Sequence, residues 1–448
     1  MIDSGEVLEL LQSLIRNECV NDGRPESGGE YRSVETLQSY FGEIGETIEP
    51  SRGRGSVVYR VLGRDPGAAK LMLMGHLDVV PVTESGWSVD PFEGLVADGF
   101  VWGRGAVDML NLTAAMAAVF KRYLTGALPQ PAGDLIFLGV ADEEAGGSHG
   151  AKWIVENQFD LVTCDFVLTE VAFPPLRAQD GEMVYPVKVG EKGPFWRNLT
   201  ARGTPSHGSQ PYGTDNAVLK VAEAITSIAA TDGPVDITSE WRAFVDGIGL
   251  EPSRAAALLD PDLLDAEIAL IAVDDPVFAR WVHACTHLTL SPNTVKGGTK
   301  ANTIADFAVS SVDIRTLPGQ TEVTVDDHLR KVLGPRYEDL EIEAVMDFEA
   351  SSSATSGPMW EAIGDAFESL TGSRRIVPAL TPVTTDARFF RARGIGVYGV
   401  GMFDDSVGFS DFLSMFHGND ERVSVESLGL TAALLHRIVE GLSDRARL

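Results

Sequence analysis

Apolar and polar positions along the first 187 residues predict helices and strands in alternation. An amphipathic helix opens the chain, with Asp3 and Glu6 spaced as a capping box. Strands are expected over residues 56–62 and 71–74, followed by a helix over 107–123 and a strand over 134–140. A helix over 150–157 and a strand over 165–168 complete the series. Strand and helix in alternation imply a mainly parallel sheet covered by helices. In such sheets the working residues gather beyond the carboxyl ends of the strands.

From residue 188 the pattern changes. A strand-like stretch to residue 201 leads through the Gly/Pro/Ser-rich turn at 203–208 into a helix over 215–228. Strands over 305–315 and 340–348 flank a helix over 323–333, which makes a small β-α-β plus β-α-β unit. Residues 231–285 read as a helical insertion, whose Trp241, Phe244 and Leu250 suit either its own core or a hydrophobic acyl pocket. Beyond residue 351 the first style returns, with a helix over 359–370, a strand over 395–399 and a final amphipathic helix over 425–442. No repeat at solenoid spacing is found.

The 448 residues exceed the roughly 250 to 300 at which one core stops growing, so two domains are expected. The fold class is α/β: a mainly parallel-sheet catalytic domain from 1–187 and 351–448, with a smaller α/β lid and dimerisation domain inserted at 188–350. A net charge of −29 repels nucleic acid and anionic membranes, so neither is expected as a partner. The same charge means that an anionic substrate needs local positive charge to enter a site. No run of about 18 apolar residues offers a membrane span, and the start of the chain reads as a mature terminus without a signal peptide. Cys19, Cys164 and Cys285 are odd in number and far apart, which fits small buried side chains in a reducing, cytoplasmic compartment.

The polar clusters fall at the expected strand ends. His76 and Asp78 follow one strand, Asp142, Glu143 and Glu144 a second, and Glu170 a third. In His76-Leu77-Asp78, alternate residues point the same way, so Asp78 is placed to hold one ring nitrogen of a metal-binding His76. Alone, that pair also suits a structural or surface role. The three adjacent acids after residue 140 would repel one another at the rim of a core unless they were solvated or neutralised by cations. A metal pair that activates water needs this composition: imidazole and carboxylate ligands, with one free carboxylate to take a proton.

Four segments occur in order: Gly75-His76-Leu77-Asp78-Val79-Val80-Pro81, Trp102-Gly103-Arg104-Gly105-Ala106-Val107-Asp108-Met109, Asp142-Glu143-Glu144-Ala145-Gly146-Gly147 and His417-Gly418-Asn419-Asp420-Glu421-Arg422. In this the chain resembles the two-zinc exopeptidase and deacylase family that includes aminoacylase, acetylornithine deacetylase, succinyl-diaminopimelate desuccinylase and glutamate carboxypeptidase. The resemblance implies two divalent ions, zinc first, with cobalt or manganese as alternatives. It implies that Asp108 bridges them, that His76 and Glu170 complete one site and Glu144 and His417 the other, and that Glu143 is the general base for a metal-bridging water. His207, in Thr204-Pro205-Ser206-His207-Gly208, is implied to reach a partner subunit's site and stabilise the oxyanion, which calls for a homodimer through the lid. Asn302 and Arg315 match positions that grip the substrate's carbonyl and carboxylate. The implied reaction is cleavage of an amide beside a free carboxylate, in a carboxypeptidase or dipeptidase or else in an N-acyl amino acid deacylase. A noncatalytic metal-binding scaffold is the reading of another class.

The sequence departs from the family where Leu110-Asn111 replace the common Lys-Gly, and where Asn-Asp-Glu stands for Pro-Asn-Glu at 419–421. Neither change removes a ligand. His283 and His287 have helical metal-pair spacing but lack the glutamate that a metalloprotease pattern requires, so packing is expected for them. His149, His328 and His436 are isolated and receive no role.

Overall fold

A computed structural model describes residues 3–445. Residues 1–2 and 446–448, the outer ends of the expected first and last segments, lie outside the described residues.

A ten-stranded sheet forms the centre of the main body. Its strand Leu71–His76 runs parallel to Leu135–Val140 on one side and to Phe166–Thr169 on the other. Phe166–Thr169 is parallel in turn to Gly396–Gly399. The antiparallel strand Ser56–Val61 borders Leu135–Val140, and Met183–Glu191 continues the sheet at the far side, parallel to Ile376–Thr381. All six residues of Leu71–His76 are buried, as both faces of such a sheet are covered. Leu71 and Leu73 pack with Met116, Phe120, Ile363 and Leu435 of the helices Leu110–Leu124, Pro358–Thr371 and Val425–Asp444. Met72 and Met74 face the other way, onto Ile154 and Phe390. This alternation is the two-residue period of a strand.

The helix Leu110–Leu124 is buried over most of its circumference because Ala114, Ala115, Ala117 and Ala118 let it pack closely against sheet and helices at once. Its position sets the end of the Gly103–Asp108 loop at the carboxyl edge of Leu71–His76, where His76 Nε2 meets Asp108. The opening helix, Ser4–Arg16, starts on an Asp3 side chain that accepts from Gly5 N. Glu6 does not close the expected box; it is drawn instead to Arg122, Lys121 and Tyr40.

A separate four-stranded antiparallel sheet has the order Thr289–Gly297, Phe307–Thr316, Gly193–Arg202, Leu340–Asp347. The helices Ala217–Ala229 and Glu322–Leu333 cover it, with Ile228, Leu288, Val325 and Leu329 in its core. The stretch expected as one strand over 188–201 divides at Lys192: Met183–Glu191 belongs to the large sheet and Gly193–Arg202 to the small one. The insertion forms four helices, Ser239–Gly247, Pro252–Leu258, Leu264–Asp274 and Pro276–Thr286. These do not build a private core. Trp241, Phe244 and Trp281 share one with Phe173, Val377, Ala379 and Leu380 of the main body.

Candidate metal centre

The carboxyl ends of three neighbouring parallel strands deliver the expected cluster. His76 ends the strand Leu71–His76, Glu143 and Glu144 sit in the turn after Leu135–Val140, and Glu170 directly follows Phe166–Thr169. Asp108 comes from the loop before the helix Leu110–Leu124, and His417 from the turn after Phe409–Met415. His76 Nε2 lies 3.2 Å from Asp108 Oδ1 and 4.0 Å from Glu170 Oε2. His417 Nε2 lies 3.5 Å from Asp108 Oδ2 and 3.3 Å from Glu144 Oε2. The two oxygens of Asp108 therefore face two different imidazoles, each with one further carboxylate. His76, Glu143 and Glu170, and likewise His76, Asp108 and Glu144, offer ligand atoms all within 4.8 Å of one another. Asp165, at the start of its strand, instead accepts from Lys70 N at 2.7 Å.

The electrostatics of the cluster show a demand for positive charge. Burial pushes Glu170 up to about 8, and Glu143 is driven well above the usual carboxylate range by burial and by Glu170. Glu144 is raised by burial and by Asp108, and its Oε1 is buried without a hydrogen-bond partner in the protein. Hydrogen bonds to Asp108 and Glu144 raise His417 to about 10. So many acids at one buried point are stable as anions only beside positive charge. An orphaned carboxylate oxygen, mixed imidazole and carboxylate donors, and one carboxylate facing both halves fit a pair of divalent cations.

Asp78 does not hold His76 with its carboxylate, as the sequence suggested. The ring Nδ1 pairs with the main-chain oxygen of Asp78 at 2.8 Å, while Asp78 Oδ1 is 3.6 Å away. The Asp78 carboxylate turns to the acidic turn instead, accepting from Glu143 N at 3.3 Å and Glu144 N at 3.1 Å. Asn21 donates to Asp78 and to Asp142, and Arg54 joins Asn21, Glu30 and Asp142 into one buried network. Two main-chain N–H groups and the Asn21 amide offer the buried Asp78 carboxylate more hydrogen bonds there than a single ring nitrogen would.

Glu421 has a role the sequence did not assign it. Its Oε1 accepts from Val107 N at 2.6 Å and Asp108 N at 2.9 Å, and its Oε2 from Arg104 Nη1 at 2.9 Å and Gly105 N at 3.1 Å. It thereby fixes the loop that presents Asp108. Its place four residues after His417 in the last motif was the available signal. Arg388 was also missed: it donates to Gly146 O at 2.9 Å, securing the far side of the turn that carries Glu143.

A cavity of about 720 Å³ covers the cluster, walled by Asp108, Glu143, Glu144, Glu170 and His417 on the main body and by Trp196 and Arg315 on the small sheet. Arg315 donates to Asp313, to Pro382 O and to Thr384 Oγ1. Asn302 and His207 do not line this cavity. They adjoin each other on the small-sheet side, where residue 207 bridges 303 and Gly208 N donates to Asn302 O, and both side chains are exposed. His283 and His287 stack in parallel, with ring centroids 4.1 Å apart, away from the cluster.

A mainly parallel α/β sheet with a double imidazole and carboxylate cluster at its carboxyl edge defines a metal-dependent hydrolase of amide C–N bonds. The chain belongs to Peptidase family M20/M25/M40, whose model matches residues 72–441. Aminoacylase-1 of Sus scrofa is 25% identical over 407 residues, covering 89% of this chain and 86% of the relative. The N-fatty-acyl-amino acid synthase/hydrolase PM20D1 of Homo sapiens is 25% identical over 392 residues, covering 86% and 76%. Among solved structures, the M20 family metallo-carboxypeptidase Sso-CP2 of Sulfolobus solfataricus has the same fold, with a TM-score of 0.74 at 17% identity over 98% of this chain and 99% of that one.

Proposed function

We propose that the protein hydrolyses an amide bond beside a free carboxylate in small peptides or N-acyl amino acids. The observation that carries this is the placement of both oxygens of Asp108 between His76 and His417, with Glu143 beside them and Arg315 across the same cavity. A carboxypeptidase or dipeptidase is the first reading, in keeping with the fold shared with a metallo-carboxypeptidase. Deacylation of N-acyl amino acids is the second, favoured by the names of the relatives that cover most of the chain.

His76, Asp108, Glu144, Glu170 and His417 would hold two divalent cations, zinc before cobalt or manganese, which supply Lewis-acid polarisation of a carbonyl and lower the pKa of water. Arg315 binds the substrate carboxylate with its planar fork and so orients the amide towards Glu143. Glu143 accepts a proton from the attacking water and returns it to the leaving amine nitrogen. Asp78, through the main-chain N–H groups of Glu143 and Glu144, keeps that carboxylate in position. His207 of a second copy, with Asn302, would donate to the oxyanion of the tetrahedral state. Their exposure on the small sheet, outside the cavity of their own chain, suits this homodimeric arrangement. We assign residues 193–347 to a lid and dimerisation unit, minus the helices over 239–286 that share the main core. Among the described residues no helix is long and apolar enough to cross a membrane. The three unpaired, buried cysteines support a reducing, cytoplasmic setting.

Dialysis against a chelator should abolish hydrolysis of a panel of dipeptides and N-acetyl amino acids, and zinc, cobalt or manganese should restore it. Activity that survives chelation, or no activity with any metal, would refute the reading, the latter in favour of a scaffold.

A further inference from the structure

An apolar cavity of about 250 Å³ opens beside the metal cavity and shares Val171, Val383 and Phe416 with it. Val171 directly follows Glu170, and Phe416 directly precedes His417, so the partition between the two spaces lies against the metal cluster. The inner wall is aromatic. Phe173 and Trp281 are 3% and 4% exposed and meet edge to face with ring centroids 6.3 Å apart. Trp281 comes from the helix Pro276–Thr286 of the insertion, which reaches the site through Val277, Arg280 and Trp281 and not through Trp241 or Phe244, which are packed in the core.

Size and chemistry narrow the occupant. A cavity of about 150 Å³ lined by Leu, Ile and Phe holds a benzene ring. The space here therefore admits an aromatic ring or a branched aliphatic chain. Trp281 Nε1 is itself fully buried and presents no donor to the space, and Thr381 and Ser414 add hydroxyls to the lining. A carboxylate buried there without a charged partner is unfavourable. Arg280, also on the wall, is exposed, and its charge is solvated.

The position of Arg315 shows which part of the substrate enters. Arg315 Nη1 donates to Pro382 O at 3.2 Å and to Thr384 Oγ1 at 3.4 Å, and Pro382 and Val383 line the apolar cavity. A carboxylate held by Arg315 thus sets the side chain of the same residue at the cavity's mouth. We propose that this cavity receives the side chain of the carboxylate-bearing residue, and that the enzyme selects substrates in which that side chain is large and apolar, aromatic above all. This rests on the reading of the metal cavity as an amide hydrolase site anchored by Arg315.

The test uses metal-loaded enzyme and N-acetyl derivatives of phenylalanine, leucine, alanine, glycine and glutamate. It adds hexanoylglycine, in which the apolar group lies on the acyl side. Burying the larger side chain should raise kcat/KM for phenylalanine over alanine by about 10- to 100-fold. Val383, 40% exposed at the rim, tolerates change, and Val383→Asp should erase most of that ratio. Binding of the phenylalanine and alanine derivatives to metal-loaded Glu143→Gln, measured by calorimetry, reads the same preference without turnover. Absent turnover with a phenylalanine preference in binding would sink the hydrolase reading and leave the pocket standing. Turnover or binding that favours glutamate, alanine or glycine would overturn the pocket alone. So would a gain with hexanoylglycine and none with phenylalanine, or a ratio that Val383→Asp leaves unmoved.

Discussion

Glu421 shows how one buried side chain can govern a site it does not enter. Its two oxygens receive four N–H donors from the loop that presents Asp108. Burial raises its carboxyl to about 7, while Arg104 and the donors favour the charged form. In Glu421→Gln an amide N–H₂ must face N–H donors, which leaves buried groups unpaired. Groups that orient metal ligands typically change metal affinity by about 10- to 100-fold when altered. Titrating zinc into chelated Glu421→Gln should show a loss of that order with the fold intact by circular dichroism, and unchanged affinity would contradict the role. At this scale the sequence located the side chains that cluster but not their supports. The types and order of His76, Asp108, Glu143, Glu144, Glu170 and His417 were legible because they stand at strand and loop ends that the apolar pattern marks. The partners of Asp78 and Glu421 were not, because they depend on how main-chain N–H groups turn in three dimensions.

Between elements, Lys192 marks the joint of the two sheets. It separates Met183–Glu191 from Gly193–Arg202, and its Nζ donates to His287 O at 2.6 Å and Thr289 Oγ1 at 2.9 Å, where the chain returns to the small sheet. Burial lowers this ammonium to about 7 from an ordinary 10.5. Between those values the unfolded chain binds the proton that the folded chain has released, so stability rises with pH across the window, and the cost of the buried charge is fully felt below about 7. Lys192→Met has no such titration. The urea midpoint of the wild type, relative to that variant, should climb between about pH 7 and pH 9.5, and a constant or falling difference would contradict this account. The sequence missed the joint because residues 188–201 are continuously strand-like, and periodicity carries no mark of a change of sheet. It found the helices over 110–124 and 425–444 to within a few residues because their apolar stripes are long. The strand Thr289–Gly297 was absent from the sequence reading, since most of its residues are exposed and show no alternation.

For the whole molecule, the role proposed for the exposed His207 and Asn302 would tie activity to assembly. If His207 serves the site of a second copy, two dead variants can complement each other. His207→Ala and Glu143→Gln, mixed after reversible dissociation, should form dimers of which about half are mixed, each with one complete site, and so recover about a quarter of wild-type activity. Recovery no greater than the sum of the separate variants would place His207 in its own chain's site or in none. The net charge of −29 belongs to this scale too, since it makes the guanidinium of Arg315 and the proposed cations the means by which an anionic substrate is admitted. The most direct measurement is anomalous diffraction at the zinc edge from crystals of the reconstituted protein. Two peaks about 3.5 to 4 Å apart, one on either side of Asp108 with His76 and Glu170 at the first and Glu144 and His417 at the second, are expected. A single peak, or metal bound elsewhere, would contradict the account.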